Sequence, residues 1–406
     1  MNTQVHLHAD YKKMNRISAG NWDYALEKGV HGGWFEPVGL GKIKRNSDGL
    51  TAWNMSSYSY LGLDEDERIL LAAQEALSKS RVLNSSLSRV RMTLPLLELA
   101  ESELGNLFQA DVGTLNSCAA AVWATLPVLA SGLLTNGVPP VMAFDKKAHF
   151  CMLSLKAACA DETEVVTIEH NDMEALERLC QKHKRVAYVC DSVYSTGGTV
   201  APMEQLIELQ NKYGLFLYFD EAHSTSVVGV NGRGYALKAL GEINSQTMIV
   251  TSLNKGFGAS GGAVLFGPQG NLESRYAVQR ASGPMMWSQR INTPGLGAIR
   301  KSIEIHMSDE LPELQANLAN NMAYFDAQIA SNGSGNVVPI RYIVVGDERS
   351  AIDVSADLLK LGFYAEPDFF PIVRRGEAGL RIRIRSTMTA ESIAEFAYAL
   401  SSVVKD

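Results

Sequence analysis

The chain has 406 residues, 46% of them hydrophobic, and a formal net charge of -7, a composition of globular type in a chain too long for one small core. That charge argues against nucleic acid or an anionic membrane as partner, since both need clustered lysine and arginine. The five cysteines, Cys118, Cys151, Cys159, Cys180 and Cys190, show neither Cys-x-x-Cys nor Cys/His ligand spacing, so no metal site is expected and a reduced, cytoplasmic chain is the simplest reading.

In chain order, "MNTQVHLHADYKKMNR" lacks the apolar run of a secretory signal, and residues 1–55 read as irregular structure with a hairpin. The run "CAAAVWATLPVLASGLL" at 118–134 approaches membrane-spanning length, yet its alanines and Pro127 favour a buried core helix. The middle of the chain alternates helical periodicity with short apolar runs: "DMEALERLCQKHK" (helix), "RVAYVCDS" (strand), "PMEQLIELQNKYG" (helix), then the strands "LFLYFDEAH", "TMIVTSLNK" and "GAVLFG". Such alternation predicts an α/β domain whose mostly parallel sheet is covered on both faces. After Pro294 the pattern becomes that of a smaller α+β domain, giving expected segments 1–55, 56–296 and 297–406.

Ligands of open α/β sheets sit beyond the carboxyl ends of the strands, and the polar endings "DS", "DEAH" and "SLNK" all fall at that edge. In "TSLNKGFGASGGAV" (251–264), Lys255 follows a buried strand and is surrounded by glycines too small to cover it. A surface lysine in a glycine-rich turn is the plain alternative. Asp220, at the end of "YFD", is costly there unless it meets a cation or dense hydrogen bonding; its plain alternative is a helix cap. An aspartate on one strand end and a lysine on a later one, 35 residues on, is what pyridoxal phosphate requires. The lysine forms the Schiff base and the aspartate keeps the ring nitrogen protonated, with His223 reaching the same ring. A P-loop would place its glycines before the lysine, and no Gly-x-Gly-x-x-Gly opens a helix after the first strand.

These motifs resemble those of the α-oxoamine synthases, pyridoxal-phosphate enzymes of fold type I that condense acyl thioesters with amino acids. "MSSYSYLGL" (55–63), "DEAHSTSVVGVNGRG" (220–234), "TSLNKGFGASGGA" (251–263) and "RIRIRSTMTAESI" (381–393) occur in the family's order and cover most of the chain. The resemblance implies that His149 stacks on the cofactor ring, although a surface histidine is the plain reading. It implies Ser195 as a partner of the ring hydroxyl and Ser252 as a phosphate ligand. Helix-start amides at "NSCAAAV" suit a phosphate, but Cys118 and Ala119 depart from the family pattern there. Arg381 aligns with the arginine that takes the donor carboxylate, with Arg383 as an alternative register and a solvated basic strand as the plain reading. Ser288 aligns with a residue reaching the phosphate of a neighbouring subunit, so the resemblance implies a homodimer.

Two departures narrow the family: "TGGT" (196–199) replaces Met-Asp-Gly-Asp, and Leu94 replaces a histidine. The first resembles the branch that makes α-aminoketone quorum-sensing autoinducers from a medium-chain acyl thioester and S-adenosylmethionine or a small amino acid, and both argue against a standard biotin, heme or threonine-catabolic enzyme. The expected reaction has Lys255 as general base and Asp220 drawing electron density from the donor Cα. An aminotransferase or aldolase of the same fold is the alternative. Trp123, Met285, Met286 and Trp287 are candidates for an acyl tunnel, or for core.

Overall fold

A computed structural model describes residues 10–85, 87–270 and 272–404. The chain divides into two compact units. The first comprises 66–194 and 200–312; the second comprises 10–65, 195–199 and the stretch from Glu313 onward. The position near 296, where the sequence pattern changes, lies inside the helix Thr293–His306, which packs on the helices Glu67–Ser80 and Pro95–Phe108 and stays with the first unit.

The second unit opens with a helix, Tyr11–Glu27, where irregular structure was expected. Asp10 caps it by accepting from the Lys13 amide at 2.9 Å, and Ala25 is buried with Ala351, Ile352 and Phe369. Strands β1 (Phe35–Gly39), β2 (Lys42–Arg45) and β3 (Thr51–Asn54) follow as a meander.

The first unit holds β4 (Val112–Leu115), β5 (Val141–Asp145), β6 (Val165–Ile168), β7 (Val186–Asp191), β8 (Phe216–Asp220), β9 (Thr247–Ser252) and β10 (Gly262–Leu265). They form one sheet in the order β4-β10-β9-β8-β7-β5-β6. All pairs are parallel except those made by β10, which runs antiparallel to β4 and β9. Pleating sends Tyr188, Cys190, Leu217, Phe219 and Ile249 to one apolar cluster, and Ala187, Val189, Tyr218, Met248 and Val250 to another. Both faces are therefore core, which is why these strands read as continuous apolar runs. The run beginning at Cys118 is the helix Cys118–Ala130, lying in the second cluster, and Thr125 ties it to the sheet through Tyr218 Oη at 2.7 Å. Among the described residues no helix is long and apolar enough to cross a membrane.

The second unit closes with β11 (Ile340–Gly346), β12 (Phe363–Tyr364), β13 (Glu366–Asp368) and β14 (Ala378–Arg383). β12 adds parallel to β3, and β14 lies between β11 and β13, antiparallel to both.

Candidate active site

Because β7, β8 and β9 are parallel and in register, Asp191 is the partner of Asp220, and Asp220 that of Val250, at one sheet edge. The three polar endings singled out in the sequence share this edge. Asp220 is 3% exposed; its Oδ1 accepts from the Ala222 amide at 2.9 Å. Its Oδ2 faces two thiols, Cys118 Sγ at 3.7 Å and Cys151 Sγ at 3.8 Å. Burial, and then the charge of Asp220, push both thiols well up, so they are neutral donors to that carboxylate and neither is a thiolate nucleophile.

Lys255 lies in the turn after β9, half-buried, with Nζ 2.8 Å from His223 Nε2. Only one of the two groups can supply the proton of that bond, so the amine and the imidazole share it. His149 is exposed at the start of the short helix Phe150–Leu153. Its amide donates to Asp191 Oδ2 at 2.8 Å, and its Nδ1 lies 3.0 Å from Cys151 Sγ. The ligand atoms of His149, Cys151 and Asp220 all fall within 4.8 Å of one another, an approach that no spacing in the sequence announced.

The helix Cys118–Ala130 points its first amides to the same region. Ser117 caps it, accepting from the Ala120 amide at 3.1 Å, and Cys118 and Ala119 form its first turn. Gly262 lies against that turn: a Cβ there would meet the Cys118 nitrogen at 2.4 Å. Ser252 is buried at the end of β9 and bonded through its hydroxyl to Asn254 Oδ1. Ser288 is exposed, just after the short helix Gly283–Trp287. Met285 is core, whereas Trp123 and Trp287 are exposed.

Two residues of the sequence reading belong to the second unit. Ser195 offers its carbonyl to Arg381 Nη1 at 3.3 Å. Arg381, Arg383 and Arg385 are 7%, 1% and 2% exposed, so the basic side of "RIRIR" is not solvated. Partners replace water: Asp368 on Arg381, Glu366 on Arg383, and the Gly41 carbonyl on Arg385.

Three residues of the first unit escaped the sequence reading. Asp191 stood only as the first residue of the ending "DS", with no role given to it, and Cys151 looked like one of five unremarkable thiols. Glu221 is the third. It is buried behind Asp220 and accepts from the Ser224 hydroxyl and from the Tyr235 and Ala236 amides at 2.9 and 2.7 Å. A Cβ on Gly234, which has φ +99°, would come within 2.0 Å of Glu221 Oε2, so the spacing from "DEAH" to "GRG" is the length of a loop tied back on its own carboxylate.

The family pattern described as aminotransferase class I and II matches residues 156–400. The 8-amino-7-oxononanoate synthase of Symbiobacterium thermophilum is 30% identical over 373 residues, 88% of this chain and 90% of its own. The chain belongs to this family. Its place within the family is that of an α-oxoamine synthase, for the mitochondrial 2-amino-3-ketobutyrate coenzyme A ligase of Bos taurus is also similar, 26% identical over 84% of this chain and 80% of its own. A serine palmitoyltransferase structure from Sphingomonas wittichii shares the fold with a TM-score of 0.84, over 97% of this chain and 98% of that one, at 18% identity. The synthase is thus of fold type I, and pyridoxal phosphate is its cofactor. The residues present fit that group. A buried carboxylate meets weak sulfur donors where a ring N–H would serve it better, an amine stands beyond the next strand, and a capped helix start offers amides to a phosphate.

Proposed function

We propose that the synthase joins an acyl thioester to a small amino acid, or to a similar amino donor, with loss of carbon dioxide, giving an α-aminoketone. The observation that carries this reading is the placement of Asp220 and Lys255 beyond adjacent parallel strands, with His223 Nε2 2.8 Å from the lysine amine.

Pyridoxal phosphate, when bound, supplies the sink for the electron pair released at the donor Cα. Asp220 would accept from the ring N–H, and the neutral Cys118 and Cys151 thiols place no second anion beside it. Lys255 would anchor the cofactor and, as a free amine, would take the Cα proton on Nζ, with His223 Nε2 2.8 Å away to hold that amine in place. His149, held at its amide by Asp191, would cover the ring. The amides of Cys118 and Ala119, with the Ser252 hydroxyl, bind the phosphate. For Ser195 and Arg381 the family resemblance suggests the ring hydroxyl and the donor carboxylate.

The signalling branch of the family is favoured by "TGGT", a turn secured within the second unit where Asn336 Nδ2 donates to the Gly198 carbonyl at 2.8 Å, while Leu94 argues against the members that carry a histidine there. A homodimer is the proposed assembly, with Ser288 reaching the neighbouring subunit's phosphate; the exposed Trp123 and Trp287 are the kind of surface an interface covers. The test is a screen of amino donors against acyl-coenzyme A thioesters of increasing length, scored for thiol release and carbon dioxide. Release of both with one donor supports the reading. Amino transfer to a 2-oxo acid, with no thioester consumed, would replace it.

A further inference from the structure

Arg381 is already engaged by carboxylates of its own chain. It lies on β14, and the neighbouring β13 sets two acids against it. Asp368 Oδ1 accepts from Nη2 at 2.9 Å, and Glu366 Oε1 stands 3.5 Å from the same nitrogen. Nη1 donates to the Ser195 carbonyl at a longer 3.3 Å, while Nε is buried without a hydrogen-bond partner. Arg383 Nη1 lies 2.8 Å from Glu366 Oε2. Two guanidinium groups therefore face two carboxylates, and the cluster is neutral before any substrate arrives.

Asp368 is fully buried and its Oδ2 has no hydrogen-bond partner. Burial pushes its carboxyl up to about 6, with Arg381 opposing. A buried carboxylate so incompletely compensated costs stability, and such groups gather at functional sites.

We propose that Asp368 competes with the amino donor for Arg381 and so sets how tightly the synthase holds the donor carboxylate. The inference rests on the reading of Arg381 given above. A guanidinium grips a carboxylate best through two parallel N–H bonds. Here Nη2 is occupied and Nε is out of reach, so an incoming carboxylate takes Nη1 in place of the Ser195 carbonyl, from a cation already neutralised. A loose grip suits the chemistry. Loss of carbon dioxide breaks the bond from Cα to the carboxylate and leaves the electron pair on Cα, which then takes up a proton. An ion pair that stabilises the carboxylate before that step, and not during it, raises the barrier.

The experiment titrates the holoenzyme, without thioester, with glycine, L-alanine, L-serine and L-2-aminobutyrate, and with methylamine and ethylamine as carboxylate-free counterparts, following the visible spectrum. Asp368→Asn keeps an acceptor oxygen for Nη2 and removes the charge. It is expected to bind the amino acids about tenfold more tightly and the amines as before. Glu366→Gln should move binding the same way by less, and it keeps the question open to test should Asp368→Asn fold poorly. Amino-acid binding that is unchanged or weaker in both variants would overturn the competition. Arg381→Gln separates the two failures. If it loses amino-acid binding while the acid variants stay as wild type, the competition alone is wrong; if it binds amino acids and amines as wild type does, the role given to Arg381 is wrong.

Discussion

Asp191 and Asp220 are direct partners on β7 and β8, and burial together with the charge of Asp220 holds the Asp191 carboxyl well above the ordinary carboxylate range. Two buried acids this close do not both ionise freely, and Asp191 is pushed towards the neutral form. Neutral, it still accepts the His149 amide.

The two acids therefore predict different mutational outcomes. Asp191→Asn keeps the acceptor oxygen and should leave kcat within a few fold, whereas Asp220→Asn should lower kcat by about 100-fold or more. Steady-state kinetics on the two variants, with pyridoxal phosphate content measured alongside, check this. Equal losses in both would mean that Asp191 works as an anion.

Gly234→Ala should destabilise the first unit. The added Cβ meets the Glu221 carboxylate at 2.0 Å and the backbone has φ +99°, so the loop must give up the bonds from Ser224, Tyr235 and Ala236 or bear the strain. A loss of about 2 kcal/mol or more is expected, read by denaturant unfolding of the purified variant. Stability equal to wild type would show that the loop has another way to close.

His306 predicts a pH dependence. It is fully buried between Ser302 and Ser226, with Nδ1 2.8 Å from the Ser302 carbonyl and Nε2 2.8 Å from the Ser226 hydroxyl. Burial lowers its pKa from 6.5 to about 4, opposed by the Ser302 bond. The folded value lies below the unfolded one, so the unfolded chain takes up the proton first as the pH falls. Stability is complete above pH 6.5 and declines towards pH 4, by about 3 kcal/mol from this group. Unfolding at pH 7.5 and 5, in wild type and in His306→Gln, measures it; the variant should show the flatter profile.

The sheet was legible because its strands are buried on both faces. "VAYVCD", "FLYFD" and "TMIVTS" are unbroken apolar runs that end in polar residues, and those endings share one edge. Lys255 and Asp220 stood out for the same reason: a charge at the end of a buried strand needs an explanation. Other features depend on contacts that no short pattern records. The helix Tyr11–Glu27 buries few residues and signals itself mainly by the Asp10 cap. The strong effect on Asp191 comes from burial first and then from a neighbour 29 positions away across the sheet. The burial of Arg381 and Arg383 requires Glu366 and Asp368 on a strand of three residues, too short to carry an alternation.

The central claim is that Lys255 carries the cofactor at an edge completed by Asp220 and His223. Its most direct test is borohydride reduction of the purified protein, with the near-ultraviolet and visible spectrum recorded before and after, followed by peptide mapping. The account predicts a visible band that bleaches and a single pyridoxyl label on Lys255, both absent from Lys255→Ala. A protein that stays colourless with added pyridoxal phosphate, or a label on another lysine, would contradict it.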